Sequence, residues 1–158
     1  MPRHSFNQGW TVRPKTSIFA QLHGGSEPPT HVTLPHDALL ALPRSAETGS
    51  AATGYFPSGA FEYSKSFEVP EDYRDKRVSV EFQGVYRDAM VYVNGAFAAQ
   101  RPFGYSSFVV PLDDFLNYGD TNTIRVEARA HQDSRWYTGA GIYRDTILSV
   151  TEPVHFTA

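Results

Sequence analysis

From Phe61 onward the chain alternates apolar and polar side chains with a period of two, and that period fits strands rather than helices. Phe61, Tyr63, Phe67 and Val69 are interleaved with Glu62, Ser64, Ser66 and Glu68. Val78, Val80 and Phe82 alternate with Ser79, Glu81 and Gln83, and Ile124, Val126, Ala128 and Ala130 alternate with Arg125, Glu127 and Arg129. Residues 88–93 form another run. It ends at Asn94-Gly95, the dipeptide best suited to a type I′ turn because both central residues need φ > 0, so residues 96–99 are predicted to return beside it. Residues 9–12, 31–34, 108–111 and 146–150 read as further strands. Seven to nine strands, no useful amphipathic helix and closely spaced turn signals predict an all-β sandwich. Its long connections favour a jelly roll over a meander. At 158 residues with 41% hydrophobic content the chain can bury one core, so residues 1–158 are read as a single domain.

The segments between these runs carry breakers. Residues 24–29 read as a loop, and residues 44–60, rich in Ser, Ala, Thr and Gly, as a long surface loop. Asp37 is placed to cap a single helical turn over residues 38–42 that Pro43 ends. A second turn is expected over 112–116, around Asp113 and Asp114. One echo stands out: Gly84-Val85-Tyr86-Arg87-Asp88 recurs as Gly141-Ile142-Tyr143-Arg144-Asp145. Nothing around the copies is similar, so no repeat fold follows. If both copies are extended, each Arg and its neighbouring Asp face opposite ways, which predicts buried Arg–carboxylate pairs linking the two sheets.

Composition removes several kinds of function. A net charge of −3 without a Lys/Arg cluster gives no electrostatic footprint for nucleic acid. Zero cysteines exclude disulfides, zinc-thiolate sites and a thiol nucleophile. No apolar run approaches membrane-spanning length and the first residues lack a signal-peptide core, so a soluble, cytoplasmic protein is expected. The six histidines show no metal-ligand spacing, and no nucleophile elbow or phosphate-binding glycine loop occurs. Neither a metal nor a cofactor is expected. Asp113, Asp114 and Asp120 read as turn residues, and Asp37 beside His36 as a cap or loop anchor rather than the orienter of a base. The residues by themselves show no catalytic apparatus.

Residues 133–150 are the most distinctive stretch. Arg135, Trp136 and Tyr137 can stack on flat apolar faces and hydrogen-bond at their rims. Gly139-Ala140-Gly141 permits φ > 0 or a close backbone approach, and residues 142–150 read as a strand. On residue types alone the simpler reading is a turn whose Trp136 fills the end of a core. The other reading is a contact surface: with Tyr55 and Phe56 also in loops, aromatics at one end of a sandwich would suit a carbohydrate-binding module.

Several motifs together resemble the N-terminal domain of glycoside hydrolase family 2, most closely its β-galactosidases. They are Leu34-Pro35-His36-Asp37, Gly84-Val85-Tyr86-Arg87-Asp88-Ala89, Val91-Tyr92-Val93-Asn94-Gly95, Gly104-Tyr105, Gly119-Asp120-Thr121-Asn122-Thr123-Ile124 and Ser134-Arg135-Trp136-Tyr137-Thr138-Gly139-Ala140-Gly141-Ile142-Tyr143-Arg144. They run in the family's order across nearly the whole chain. The resemblance implies a galactose-binding-like jelly-roll sandwich that precedes an immunoglobulin-like domain and a (β/α)₈ barrel. The barrel of this retaining family carries the two catalytic glutamates, so no catalytic residue is expected here. The implied partners are that barrel and immunoglobulin-like domain, a β-galactoside-type sugar and, at full length, a second copy. The implied substrate- or barrel-facing loop is Asp133, Ser134, Arg135, Trp136 and Tyr137, with Asp133 or Ser134 at the sugar. The family's usual tryptophan after Pro-His-Asp is Ala38 here.

Overall fold

The period-two runs become strands of two antiparallel sheets. The computed structural model describes residues 2–17, 22–25 and 27–156, so Ser26 of the expected 24–29 loop lies outside the described residues. In chain order the strands are β1 (Arg3–Ser5), β2 (Trp10–Pro14), β3 (Thr30–Val32), β4 (Gly59–Val69), β5 (Arg77–Phe82) and β6 (Val85–Tyr86). They continue with β7 (Ala89–Val93), β8 (Ala96–Arg101), β9 (Phe108–Pro111), β10 (Asp120–Ala130), β11 (Gly141–Ile142) and β12 (Thr146–Thr151). One sheet has the order β1-β12-β5-β9 and the other β3-β2-β4-β10-β7-β8, while β11 and β6 form a separate ribbon. The chain changes sheet directly between β1 and β2, β4 and β5, β8 and β9, and β9 and β10, and by way of the ribbon between β5 and β7 and between β10 and β12, as a simple meander would not.

Alternation places the core between the sheets. Val78, Val80, Phe82 and Val110 come from one sheet; Tyr63, Val91, Val93, Ile124, Val126 and Ala128 come from the other. Each fully buried aliphatic chain of this kind stabilises the fold by roughly 1.5–3 kcal/mol. The Asn94-Gly95 turn forms as expected, with φ of 48° and 82°. The tryptophan that fills the core is Trp10, fully buried with its indole N–H donating to Phe6 O at 2.8 Å. The core-filling reading of Trp136 is thereby overturned, since that side chain is 57% exposed.

Two expectations need correction, and one feature was not anticipated. The predicted strand over 142–150 breaks at Tyr143–Asp145, splitting into β11 and β12. The expected buried Arg–carboxylate pairs between the sheets are not what the motif copies make. Arg87 pairs with Asp133 at the surface, and Arg144 is exposed. The copies instead lie side by side, with Val85 opposite Ile142 and Tyr86 opposite Gly141. Finally, the polar positions of the six-stranded sheet are not simply solvated. Glu62 and Glu127 face each other across β4 and β10. Both are buried beneath Arg13, Lys15 and Arg125, which ion-pair with them.

Candidate functional site

At one end of the sandwich, β10 stops at Ala130 and residues 131–140 run without regular structure to β11. The start of this segment is fixed by Arg87 and Arg129, whose backbones exchange two 2.9 Å hydrogen bonds. That places the Arg87 side chain under the loop, where its guanidinium donates to the Asp133 carboxylate. This hydrogen bond, reinforced by the positive charge, holds Asp133 below the usual carboxylate range. Asp88, the next residue, is hydrogen-bonded through Oδ2 to His131 Nε2 at 3.0 Å.

The floor of the site is aromatic, and a glycine makes it so. A Cβ on Gly104 would lie 2.3 Å from the Tyr86 ring, so only glycine lets that backbone lie flat on the ring. Tyr143, from the second motif copy, donates its hydroxyl to Gly104 O at 2.7 Å and pins the same turn. Tyr105 then sits 5.3 Å from Tyr86 and 5.8 Å from Phe103, ring centre to ring centre. Trp136 joins from the loop, its indole N–H donating to Tyr105 Oη at 2.9 Å. The result is an open groove of about 610 Å³, walled by these rings together with Arg87, Asp88, Asp133 and Arg135. Two basic and two acidic side chains share it, so it carries no strong net charge.

The far end of the loop is tied to a segment a hundred residues earlier in sequence. Asp37 Oδ1 accepts from Leu39 N at 3.0 Å and from Ala140 N at 3.1 Å. Its Oδ2 accepts from the Tyr137 hydroxyl. Partial burial and this carboxylate push the Tyr137 phenol well above its ordinary pKa. His36 N donates to Ile142 O at 2.9 Å and Ala38 N to Ala140 O at 2.8 Å, a short antiparallel ladder. Behind it His36 Nδ1 shares a 2.8 Å hydrogen bond with the hydroxyl of Tyr63, a wholly buried core residue. Burial lowers the His36 pKa, partly opposed by the Asp37 charge.

Of the five loop residues singled out in the sequence, four lie together. Asp133, Ser134, Arg135 and Trp136 line the groove. Within it the Ser134 hydroxyl is turned back onto Trp136 O at 2.7 Å. Tyr137 points away, its ring tilted by 50° against Phe56 at 4.9 Å between centres, and belongs to the Asp37 tie instead. Sequence reasoning missed Tyr86, Arg87, Phe103 and Tyr105 as parts of the site. The doubled Gly-aliphatic-Tyr-Arg-Asp motif was the signal that could have found the first two. Among the described residues no group of three His, Cys, Asp or Glu side chains is gathered to hold a metal ion, and no helix is long and apolar enough to cross a membrane.

No family model matches the chain. Individual proteins do. Over 97% of its length it is 35% identical to a β-galactosidase of Bacteroides ovatus, of which it spans 18%. It is 27% identical, over 92% of its length, to a β-glucuronidase of Bacteroides fragilis, spanning 20% of that protein. A crystal structure of a glycosyl hydrolase family 2 member from Bacteroides cellulosilyticus superposes with a TM-score of 0.84 at 29% identity, covering 99% of this chain and 21% of that one. A β-glycosidase of Bacteroides vulgatus gives 0.81 at 32% identity, covering 97% and 20%. The chain thus spans about a fifth of the length of these relatives.

Proposed function

From a chain homologous along nearly its whole length to the N-terminal part of family 2 glycoside hydrolases, we propose a non-catalytic domain that serves a retaining, β-galactosidase-type enzyme. On this reading residues 1–158 are one sandwich that precedes an immunoglobulin-like domain and a catalytic barrel. Its 133–140 loop packs at the barrel mouth and offers the groove to one side of a β-galactoside. The chain's lack of cysteine fits a reducing, cytoplasmic setting for such an enzyme.

The observation that carries the proposal is Trp136, more than half exposed beside a carboxylate that Arg87 keeps ionised. An exposed indole gives a sugar ring a flat apolar face, and an ionised carboxylate accepts from hydroxyls. What supports Asp133 rather than Ser134 at the sugar is the Ser134 hydroxyl, whose proton is already used on Trp136 O. What supports a non-catalytic role is the state of the groove's acids. Asp133 is held deprotonated by its salt bridge, the wrong state for the general acid of a retaining pair, and its Oδ2 is taken up by Arg87 rather than free to attack as the nucleophile. Asp88 is engaged by His131 and flanked by Arg87.

The test compares the 158-residue chain with the longer reading frame on a nitrophenyl β-galactoside. The short chain should show no turnover and the longer protein should hydrolyse it; turnover by the short chain would falsify the proposal. The exposed aromatics also favour a second reading, a carbohydrate-binding module acting by itself. Calorimetric titration of the short chain with galactose, lactose and mannose separates the two, because only the module reading requires saturable binding.

A further inference from the structure

We propose that Asp37 is a positioning residue of this site, fixing where the 133–140 loop holds Trp136. The inference rests on the reading that this loop faces the sugar, but its geometry stands apart from that reading. Residues 131–140 have no regular structure of their own, so their place must come from outside contacts. Ties at both ends supply it: Asp133 on Arg87, His131 on Asp88 and Gln132 on Thr48 O at one, and Tyr137 with Ala140 on Asp37 at the other, while the Trp136 indole also donates to Tyr105. Trp136 lies between them.

Asp37 suits the task because three donors converge on its two oxygens and none of them is an acceptor at that contact. A carboxylate satisfies all three at once, as no neutral side chain of this size can. The residue cannot swing away. Its neighbours on both sides are hydrogen-bonded by backbone to Ile142 and Ala140, and His36 is fastened to the buried Tyr63. The loop is also drawn in close. A Cβ on Gly139, whose φ is +66°, would lie 2.7 Å from Asp37 Oδ2. A glutamate at this position would carry its carboxylate one methylene further, toward the closely packed Gly139 backbone.

The two tryptophans make the test internal to the molecule. In a nitrogen–proton correlation spectrum of the 158-residue chain, the Trp136 indole N–H reports the groove. The Trp10 indole, hydrogen-bonded to Phe6 O in the core, reports the fold. Asp37→Ala should shift the Trp136 signal, leave that of Trp10 in place and speed exchange of the Ala140 amide about tenfold, the scale of one lost hydrogen bond. Asp37→Asn should keep the Ala140 amide protected through its remaining oxygen while lowering the ionisation pH of Tyr137, read as the absorbance difference from Tyr137→Phe. Asp37→Glu should not rescue the Trp136 signal. Should Asp37→Ala fail to fold, Tyr137→Phe decides alone, since it cuts one tie and must still move Trp136. An unmoved Trp136 signal in whichever variant folds overturns the inference. A moved signal, in a longer enzyme whose affinity for galactoside is unchanged by the same substitution, instead overturns the sugar-facing role and leaves the inference intact.

Discussion

Gly141 is the residue with the least freedom to change. Its φ is +116°, and a Cβ there would lie 2.0 Å from the hydroxyl of the buried Tyr63. Two costs would fall on any side chain: a backbone conformation that L residues avoid, and a collision with a core group fastened to His36. Gly141→Ala is expected to destabilise the chain by about 2–4 kcal/mol, seen as a lower urea midpoint with an unchanged slope. A loss below about 0.5 kcal/mol, the scatter of ordinary surface changes, would contradict this account. That Gly139-Ala140-Gly141 allows unusual φ or close approach was legible in the sequence. Its partners were not, because Tyr63 and Asp37 lie far away in sequence and no local pattern joins them.

At the scale of elements, the strands with several alternating residues were legible and the shortest were not. A strand of two or three residues, such as β1 or β6, is too short to display a period, whereas β3 and β11 were met only as parts of the longer 31–34 and 142–150 runs. The alternation also named the outward positions of β4 and β10 correctly but not their burial. Glu62 and Glu127 oppose each other in register, an arrangement that like charges disfavour. Arg125 bridges the two, its guanidinium 3.1 Å from Glu62 and 2.7 Å from Glu127 and 4.0 Å over the Tyr92 ring. Arg13 and Lys15 close the ends. Burial alone would raise the Glu127 pKa, but Lys15 and Arg125 outweigh it and hold the group below its ordinary value. A carboxylate with a depressed folded pKa contributes stability above its unfolded pKa and loses it as pH falls through the folded value. Glu127→Gln should therefore cost about 1–3 kcal/mol at pH 7, and the gap from wild type should narrow below about pH 4. Urea unfolding at pH 7 and at acid pH checks this. A gap that stays constant with pH would show that the charge of Glu127 is not what holds the stripe together.

For the whole molecule, the two tryptophans mark its two environments, Trp10 in the core and Trp136 at the exposed aromatic end. The sandwich was legible because its core obeys one rule throughout, with Trp10 inside and apolar faces turned inward. The groove was only partly legible, since it is assembled from three separate turns whose contacts depend on glycines that admit rings. Its exposed Phe103, Tyr105 and Trp136 lie together on one end, whereas singly scattered apolar residues would need no explanation. If that end packs against a catalytic barrel, Trp136 should be accessible in the 158-residue chain and shielded in the longer protein. Trp10 should be shielded in both. Acrylamide quenching measures this directly, with Trp136→Phe subtracting the Trp10 background from the short chain and the same substitution isolating the Trp136 share of emission in the longer one. The Trp136 quenching constant is expected to fall several-fold on going from short to long chain, and to fall further when galactose is added to the long one. Equal quenching in both chains would mean that this end meets solvent in the assembled protein, and the packing role would have to be given up. Shielding without any response to galactose would keep the packing role and remove the sugar from the groove, leaving a structural domain whose aromatic end is an interface alone.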